Sequence, residues 1–531
     1  MKKFIWLLTA ACLLTLLVGC AREEPIRIIE RPKEEQVEDV PVTKPPMPVD
    51  KEADDAITEA IISQFEEMTR IPRPSKHEDR ISQYLYNWAA TRGFDPFRDA
   101  NDNVIFDVPA TEGMEKKPMV GLQVHMDMVF AQEEGAGLDP LSTPITMQND
   151  GKVLTAEGTS LGADDGIGIA TVLCIAEGKM DHGPLRIIIT TDEETSMGGA
   201  TSLDPKEVSE LEYLINVDYE NEGRVAVSSA AATVCTCTRT CTKEAPALDS
   251  ALSITLSELS GGHSGERIQE NHLNAILAIS HGLRALYNNN IEFELASYEG
   301  GDANNAIPTF ANAVICVNAG DAKTAKAILT DCFNLQLSDY KAADPNGTFS
   351  IKNAEMPESI MSREDRNSII NYLELAVDGV ITMSKDLPDL VQTSSNLGVI
   401  RADPEEIRIS GMCRSSDSGE LTNLVNTHRN TAAKCDLEFA SEQAADAWKY
   451  DPNSRLLSLT KDAYLNRFGH EITVEATHCG LECGTFLRFN PVLDVISIGP
   501  TVRNAHTVNE ACEIETLPKV WNLLADVLAA I

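Results

Sequence analysis

Short apolar runs recur along this chain with helical segments between them, and that rhythm restricts it to a layered α/β architecture. Pro118 to Val124, Gly166 to Ala176, Leu185 to Thr190 and Tyr213 to Val217 follow one another in this way. A helix around Leu456 to Phe468, the strand Leu493 to Ile498 and a last helix from Leu517 resume the pattern near the end. Ordered structure is expected from about Ala53, because Ile57, Ile61, Ile62, Phe65 and Met68 recur at helical spacing before Ile71-Pro72 stops the helix, and a second helix follows around Ile81 to Ala90. Between 233 and 440 the pattern changes to alternating strands such as Leu252 to Leu256 and helices such as Asn274 to Tyr287, which read as a separate α+β unit. The expected organisation is one domain in two parts, 53–232 and 441–531, interrupted by that insertion; no repeat of solenoid period is visible.

A chain of 531 residues has room for two or more units with sizeable cores. Its 44 Lys+Arg against 82 Asp+Glu leave a formal charge of −38, which repels phosphate backbones and argues against a nucleic-acid partner. At the N-terminus, Lys2 and Lys3 precede an apolar run from Phe4 to Val18 that ends in Leu17-Val18-Gly19-Cys20. The run is too short to span a membrane comfortably and reads as a cleaved secretory signal. It resembles a bacterial lipoprotein signal over 1–20, which implies lipidation at Cys20; the alternative is an ordinary signal with an incidental cysteine. Residues 21–52 carry Pro25, Pro32, Pro41, Pro45, Pro46 and Pro48 among many charges and read as a tether. The expectation is an exported enzyme held at the cell envelope by a lipid anchor alone. Of the thirteen cysteines, Cys235 and Cys237 alternate with threonine and should share one strand face as packing residues.

The polar residues that close the apolar strands carry the chemistry. His125 and Asp127 end one strand on the same side, where the carboxylate can orient the imidazole. Gly162-Ala-Asp164-Asp165-Gly166 is an acidic turn entering a helix, and Asp192-Glu193-Glu194 crowds three carboxylates at the end of the strand Leu185 to Thr190. Such crowding costs energy unless cations neutralise it or one carboxyl keeps a proton. Asp218 closes a fourth apolar segment and His506 follows Gly499-Pro500. Each alone has a structural reading, as an N-cap or a satisfied polar pair. Together they put His, Asp and Glu at successive strand ends, where open α/β sheets hold their sites, and two His with three carboxylates suit a pair of zinc-like ions bridged by water.

On these residues the chain resembles the aminoacyl-histidine dipeptidases, or peptidase D family, of the di-zinc metallopeptidase clan that includes peptidase T and the glutamate carboxypeptidases. The resemblance runs through Ile71-Pro-Arg-Pro-Ser75, His125 to Asp127, Gly162 to Gly166, Glu193-Glu194, Gly261-Gly-His-Ser-Gly265, Asn305-Ala-Ile-Pro308, Gly480-Leu-Glu-Cys-Gly484 and Ser497-Ile-Gly-Pro500, nearly everything after residue 53. It implies an α/β di-zinc exopeptidase domain with a mixed sheet flanked by helices, interrupted by an α+β lid at 233–440. It also implies two Zn2+, with Co2+ or Mn2+ as substitutes: Asp164 bridges them, His125 and Asp218 complete one site, Glu194 and His506 the other. Glu193 would then be the general base for the bridging water, Asp127 would support His125, and His263 would bind the carbonyl oxygen as charge develops. Asn305 and Arg414 match positions that hold the substrate's C-terminal carboxylate, and His478 and Glu482 join them as substrate-binding candidates. This chain departs from the family in Ala505-His506-Thr507-Val508 near the last ligand, in Thr195-Ser196-Met197 after the base, and in Cys479 where alanine is common.

The resemblance implies hydrolysis of Xaa-His and related small peptides. The alternatives are a broader dipeptidase or tripeptidase, an N-acyl amino acid amidohydrolase with the same metal site, and a non-catalytic peptide-binding lipoprotein, which should have lost Glu193, Asp164 or His506. A homodimer is the one protein partner to expect. Because the insertion has room for two small α+β halves, one half is expected to imitate a missing partner and close the site within a single chain.

Overall fold

The computed structural model describes residues 44–387 and 390–531. Cys20 and most of the proposed tether therefore lie outside the described residues. Lys44 and Met47 are tied to the body, donating backbone N–H groups to Gly469 and Arg467. The first helix, Lys51–Thr69, begins two residues before the expected Ala53 because the Asp50 side chain accepts from the Ala53 N–H and caps it. Ile61, Phe65 and Met68 form its buried face.

The mixed α/β architecture with helix-flanked sheets is present. An eight-stranded sheet takes the order Phe97–Arg98, Val104–Val108, Leu185–Thr190, Val120–His125, Tyr213–Asn216, Asp494–Ser497, Arg224–Ala226, Thr473–Glu475. Its four central strands are parallel, Val120–His125 pairing with Leu185–Thr190 and Tyr213–Asn216, and Tyr213–Asn216 with Asp494–Ser497. Their C-terminal ends consequently share one edge. Strand side chains alternate between faces: Ile187 and Ile189 join a core with the helices Lys51–Thr69, Ala163–Glu177 and Leu517–Ala530, while Ile188 joins Leu214, Phe486 and Trp448 on the other side. Ala163–Glu177 is apolar nearly all round, as a helix between a sheet and two further helices must be.

A second, nine-stranded sheet draws on 231–445 and is antiparallel throughout its ladders. Two groups meet in it, four strands and five: Thr348–Ala354, Ser250–Ser257, Ala311–Val317 and Phe293–Gly300, then Val391–Ala402, Glu406–Ser415, Ala231–Thr240 and Glu438–Ala445, with Gly379–Met383 paired beside Val391–Ala402. The strand ladder joins the groups through three residue pairs, Tyr298 with Ala402, Glu299 with Arg401 and Gly300 with Ile400. Helices Ala275–Asn288 and Ala322–Asp339 pack on the first group, with Arg363–Leu375 beside Ala275–Asn288 and Phe293–Gly300, and Ser418–Lys434 packs on the second. Cys235 and Cys237 are both buried on one face of Ala231–Thr240.

Candidate metal centre and peptide cavity

Each parallel strand of the first sheet delivers a polar group just past its end. Val120–His125 ends on His125, Leu185–Thr190 leads into Glu193 and Glu194, Tyr213–Asn216 into Asp218, and Asp494–Ser497 into the loop that carries His506. Asp164 arrives from the bend that opens Ala163–Glu177. His125 Nε2 lies 3.0 Å from Asp164 Oδ1 and 3.4 Å from Asp218 Oδ1. His506 Nε2 lies 2.9 Å from Asp164 Oδ2 and 2.8 Å from Glu194 Oε2. Asp164 thus belongs to two ligand sets, His125–Asp164–Asp218 and Asp164–Glu194–His506.

These separations suit cations. Nitrogen and oxygen ligands about 2.0–2.2 Å from one ion lie about 2.9 Å apart at a right angle and about 3.4 Å apart in a tetrahedron. The protonation pattern makes the same demand. Burial, then the neighbouring Asp218, Glu482 and Glu194, pushes the Glu193 carboxyl well up against the opposing pull of His125. Burial lifts Asp218 to about 6 and Glu220 to about 8. His506 is driven up to about 11 by its bonds to Asp164 and Glu194. Buried Glu194 Oε1 has no hydrogen-bond partner. A protein-only cluster resolves its excess negative charge by holding protons; two divalent cations would resolve it with the carboxylates ionised.

The surrounding bonds fix the ligands. Asp127 accepts from the Glu193 N–H at 3.0 Å and the Glu194 N–H at 3.2 Å. It also stands 3.4 Å from His125 Nδ1, a contact looser than a hydrogen bond. Arg73, 1% exposed, donates to the carbonyls of Met126, Asp127 and Gly162. Glu510 accepts four consecutive backbone N–H groups, from Leu161 to Asp164, at 2.7–3.2 Å. Gly162 sits at φ 69°, and a Cβ there would strike Met128 Sδ at 2.6 Å and Arg73 Nη2 at 2.8 Å. His506 also takes a left-handed backbone, φ 64°, a strained conformation held at a functional position.

A cavity of about 800 Å³ opens over this cluster, lined by Asp164, Glu193, Glu194, Asp218 and His506 on one wall and His263, Asn305 and Arg414 on the other. The second wall belongs to the nine-stranded sheet and its connections. His263 lies on the two-residue strand Gly262–His263, paired with Ala306–Ile307 beside Asn305, and Asn396 steadies that loop by donating to the carbonyls of Asn304 and Ala306. Arg414 is near the end of Glu406–Ser415, 5% exposed. Its Nη1 reaches the His478 carbonyl at 3.4 Å, its Nη2 stands 3.5 Å from His263 Nε2, and its Nε has no partner. An under-satisfied buried guanidinium suits an incoming carboxylate.

The side chains of His478 and Glu482 are engaged elsewhere. His478 Nε2 meets Ser394 Oγ at 2.8 Å, and Glu482, fully buried, accepts from Gln123 and Thr190; neither residue lines the cavity. Sequence reasoning passed over Glu510 and the individual role of Arg73, as well as Glu220 and Glu266 in the cavity lining, while Cys479, marked in the sequence as a departure from the family, does line it. Arg73 stands inside a quoted motif, which was a usable signal. Glu510 has none, since its partners lie about 350 residues away in the chain.

Residues 121–530 match the model of Peptidase family M20/M25/M40. The cytosol non-specific dipeptidase of Escherichia coli (strain K12) is 32% identical over 469 residues, covering 88% of this chain and 96% of that protein. The crystal structure of aminoacylhistidine dipeptidase from Vibrio alginolyticus superposes with a TM-score of 0.81 at 31% identity, covering 89% of this chain and 96% of that one. A tripeptidase from Staphylococcus aureus shares the fold alone, with a TM-score of 0.51 at 14% identity over 89% of this chain and 98% of that one. The expected exported, lipid-anchored localisation at the cell envelope is corrected here. The relative that spans most of the chain is by name a cytosol enzyme. That expectation rested on residues 1–20, which lie outside the described residues. With three quarters of its length matched to the family and a full-length relative above 30% identity, the chain belongs to Peptidase family M20/M25/M40 and is a metallopeptidase.

Proposed function

We propose that this enzyme is a di-zinc dipeptidase that hydrolyses Xaa-His and related dipeptides. The observation that carries the reading is the single cavity lined by two ligand sets sharing Asp164, by the Glu193 carboxylate and by an under-satisfied Arg414. Zinc ions held by His125 with Asp218, and by Glu194 with His506, both on Asp164, would acidify a water and polarise the scissile carbonyl. Glu193 takes the proton from the attacking water and returns it to the leaving amine, a task open to it because Glu194 is committed as a ligand. Asp127 holds the backbone of that pair in place through the Glu193 and Glu194 N–H groups. His263 donates to the carbonyl oxygen as negative charge builds. Arg414 and Asn305 grip the C-terminal carboxylate, which sets the substrate length by fixing how far the scissile bond lies from the chain end. The segment 233–440 acts as the lid that brings this grip to the metal wall.

The two similar dipeptidases support different breadths, since one is named for aminoacyl-histidine substrates and the other as non-specific. A turnover screen of zinc-loaded protein against carnosine, other Xaa-His dipeptides, general dipeptides, tripeptides and N-acetyl amino acids tests the reading. Xaa-His dipeptides are expected to give the highest kcat/KM. Equal turnover of all dipeptides would make the enzyme a broad dipeptidase, and preference for N-acetyl amino acids would overturn dipeptidase function.

A further inference from the structure

The cavity contains a second kind of donor set beside the carboxylate-rich one. His263, Glu266 and Cys479 each offer a ligand atom within 4.8 Å of the other two, and all three line the cavity. They come from separate places: the short strand Gly262–His263, the turn after it, and the loop between Thr473–Glu475 and Cys483–Phe489. Cys479 Sγ lies 3.6 Å from His263 Nδ1. A thiolate about 2.3 Å and an imidazole nitrogen about 2.0–2.1 Å from one tetrahedral ion lie about 3.6 Å apart, so the pair already has the bite of a zinc-type site. Gly265 permits this approach, because a Cβ there would come within 2.9 Å of both Cys479 Sγ and His263 Cε1. The hydrolytic reading leaves the thiol without a task.

We infer that His263, Glu266 and Cys479 form a third, inhibitory site for a thiophilic divalent cation, distinct from the two catalytic ligand sets. As the cation binds, the Cys479 thiol gives its proton to solvent and the sulfur–metal bond forms; the His263 Nδ1 lone pair and one Glu266 oxygen complete three ligands, leaving a position for water. No electron is transferred. Coordination at Nδ1 leaves the proton of the neutral ring on Nε2, 3.5 Å from the Arg414 guanidinium, so the ring is held by the cation instead of being free to follow substrate, and the cation itself stands in the cavity that all three ligands line. The inhibitory effect rests on the proposed role of His263; the binding does not.

The test titrates enzyme already holding two equivalents of cobalt with further cobalt, following stoichiometry by equilibrium dialysis and the thiolate-to-cobalt charge-transfer band in the near ultraviolet. A third equivalent should bind, the band should appear with it, and dipeptide turnover should be lost in step. Cys479→Ser should keep two equivalents and lose both the third and the band, and Glu266→Gln should weaken the third by roughly tenfold. Saturation at two equivalents, a third equivalent without the band, or a band that survives in Cys479→Ser would overturn the site. A third equivalent with its band but full turnover would overturn its inhibitory role. If the enzyme turns over no dipeptide at all, the functional reading fails while stoichiometry and band still decide the site.

Discussion

The two walls of the cavity are built to different tolerances. On the metal wall the ligands follow strand ends or helix starts, and the backbone that presents them is locked: Glu510 holds four N–H groups before Asp164, Asp127 holds those of Glu193 and Glu194, and Arg73 ties Met126, Asp127 and Gly162 together. On the facing wall the loop beside Asn305 is held by Asn396, but the contacts of Arg414 are long. Arg414 makes one marginal bond to the His478 carbonyl at 3.4 Å, stands 3.5 Å from His263, and leaves Nε unpaired. On the proposed function, the chemistry is preorganised and the grip is left incomplete, so that substrate would supply the missing partners and its binding energy would draw the walls together.

If that contrast is right, damage to the metal wall should destroy catalysis while damage to the facing wall should mainly weaken binding. The largest effect is metal removal: a chelator should abolish hydrolysis and zinc should restore it, and Asp164→Asn, which alters the ligand shared by both sets, should not be rescued at the same zinc concentration. Undiminished turnover in metal-free protein would break the comparison outright. Next is Glu193→Gln, expected to keep two metals but lower kcat by roughly a hundredfold or more, since a base is lost and the ligands remain. Loss of metal together with activity would move Glu193 into the ligand set.

The metal wall is also the part most legible in the sequence, because its candidate ligands sit where a short apolar run stops: His125 ends a strand, and Asp218 and the Glu193-Glu194 pair follow one within a few residues. The second sheet was legible as strands and helices but not as one continuous sheet, since its two groups are joined by three residue pairs on strands about 100 residues apart. Glu510 was invisible for a related reason: its work is entirely at long range, on backbone groups that have no side-chain signature. Glu482 was drawn toward the substrate by the stretch it belongs to. It immediately precedes the helix Cys483–Phe489, and its side chain goes inward to Gln123 and Thr190. The expected envelope localisation was drawn from residues 1–20, outside the described residues, whereas the cytosol relative that corrects it covers 88% of the chain.

Two smaller effects sharpen the contrast. Arg414→Ala should raise KM for a dipeptide by roughly tenfold to a hundredfold, the worth of a charge-assisted bond, with a smaller change in kcat. The same variant should barely change KM for the corresponding dipeptide amide, which lacks the carboxylate; an equal loss on both would assign Arg414 to lid structure instead. Glu510→Gln should lower metal affinity by about tenfold, because an amide presents donors where two backbone N–H groups need an acceptor. Dialysis against graded zinc measures it, and unaltered affinity would mean the bend holds without its carboxylate.

The smallest expected effect is none at all, and it decides whether the two walls belong to one chain. His263 and Glu193 line the same cavity within a single molecule, and the nine-stranded sheet already contains two strand groups, of four and five, with helices Ala275–Asn288 and Ala322–Asp339 on one and Ser418–Lys434 on the other. One group supplies His263 and Asn305 through its connections, and the other supplies Arg414. A site whose facing wall is complete in one chain has no need of a neighbour's histidine. Mixing His263→Ala with Glu193→Ala protein, each nearly inactive alone, should therefore restore no activity. Were the histidine lent across a dimer, half of the molecules after random exchange would be mixed dimers, each with one intact site of two, and about a quarter of normal activity would return. Exchange must be verified by labelled subunits. Recovery near that level would place the facing wall of each site on the partner subunit and make the dimer obligatory for catalysis. No recovery after proven exchange leaves the loose wall as a lid closing on its own chain, with its long contacts as the slack that closure takes up.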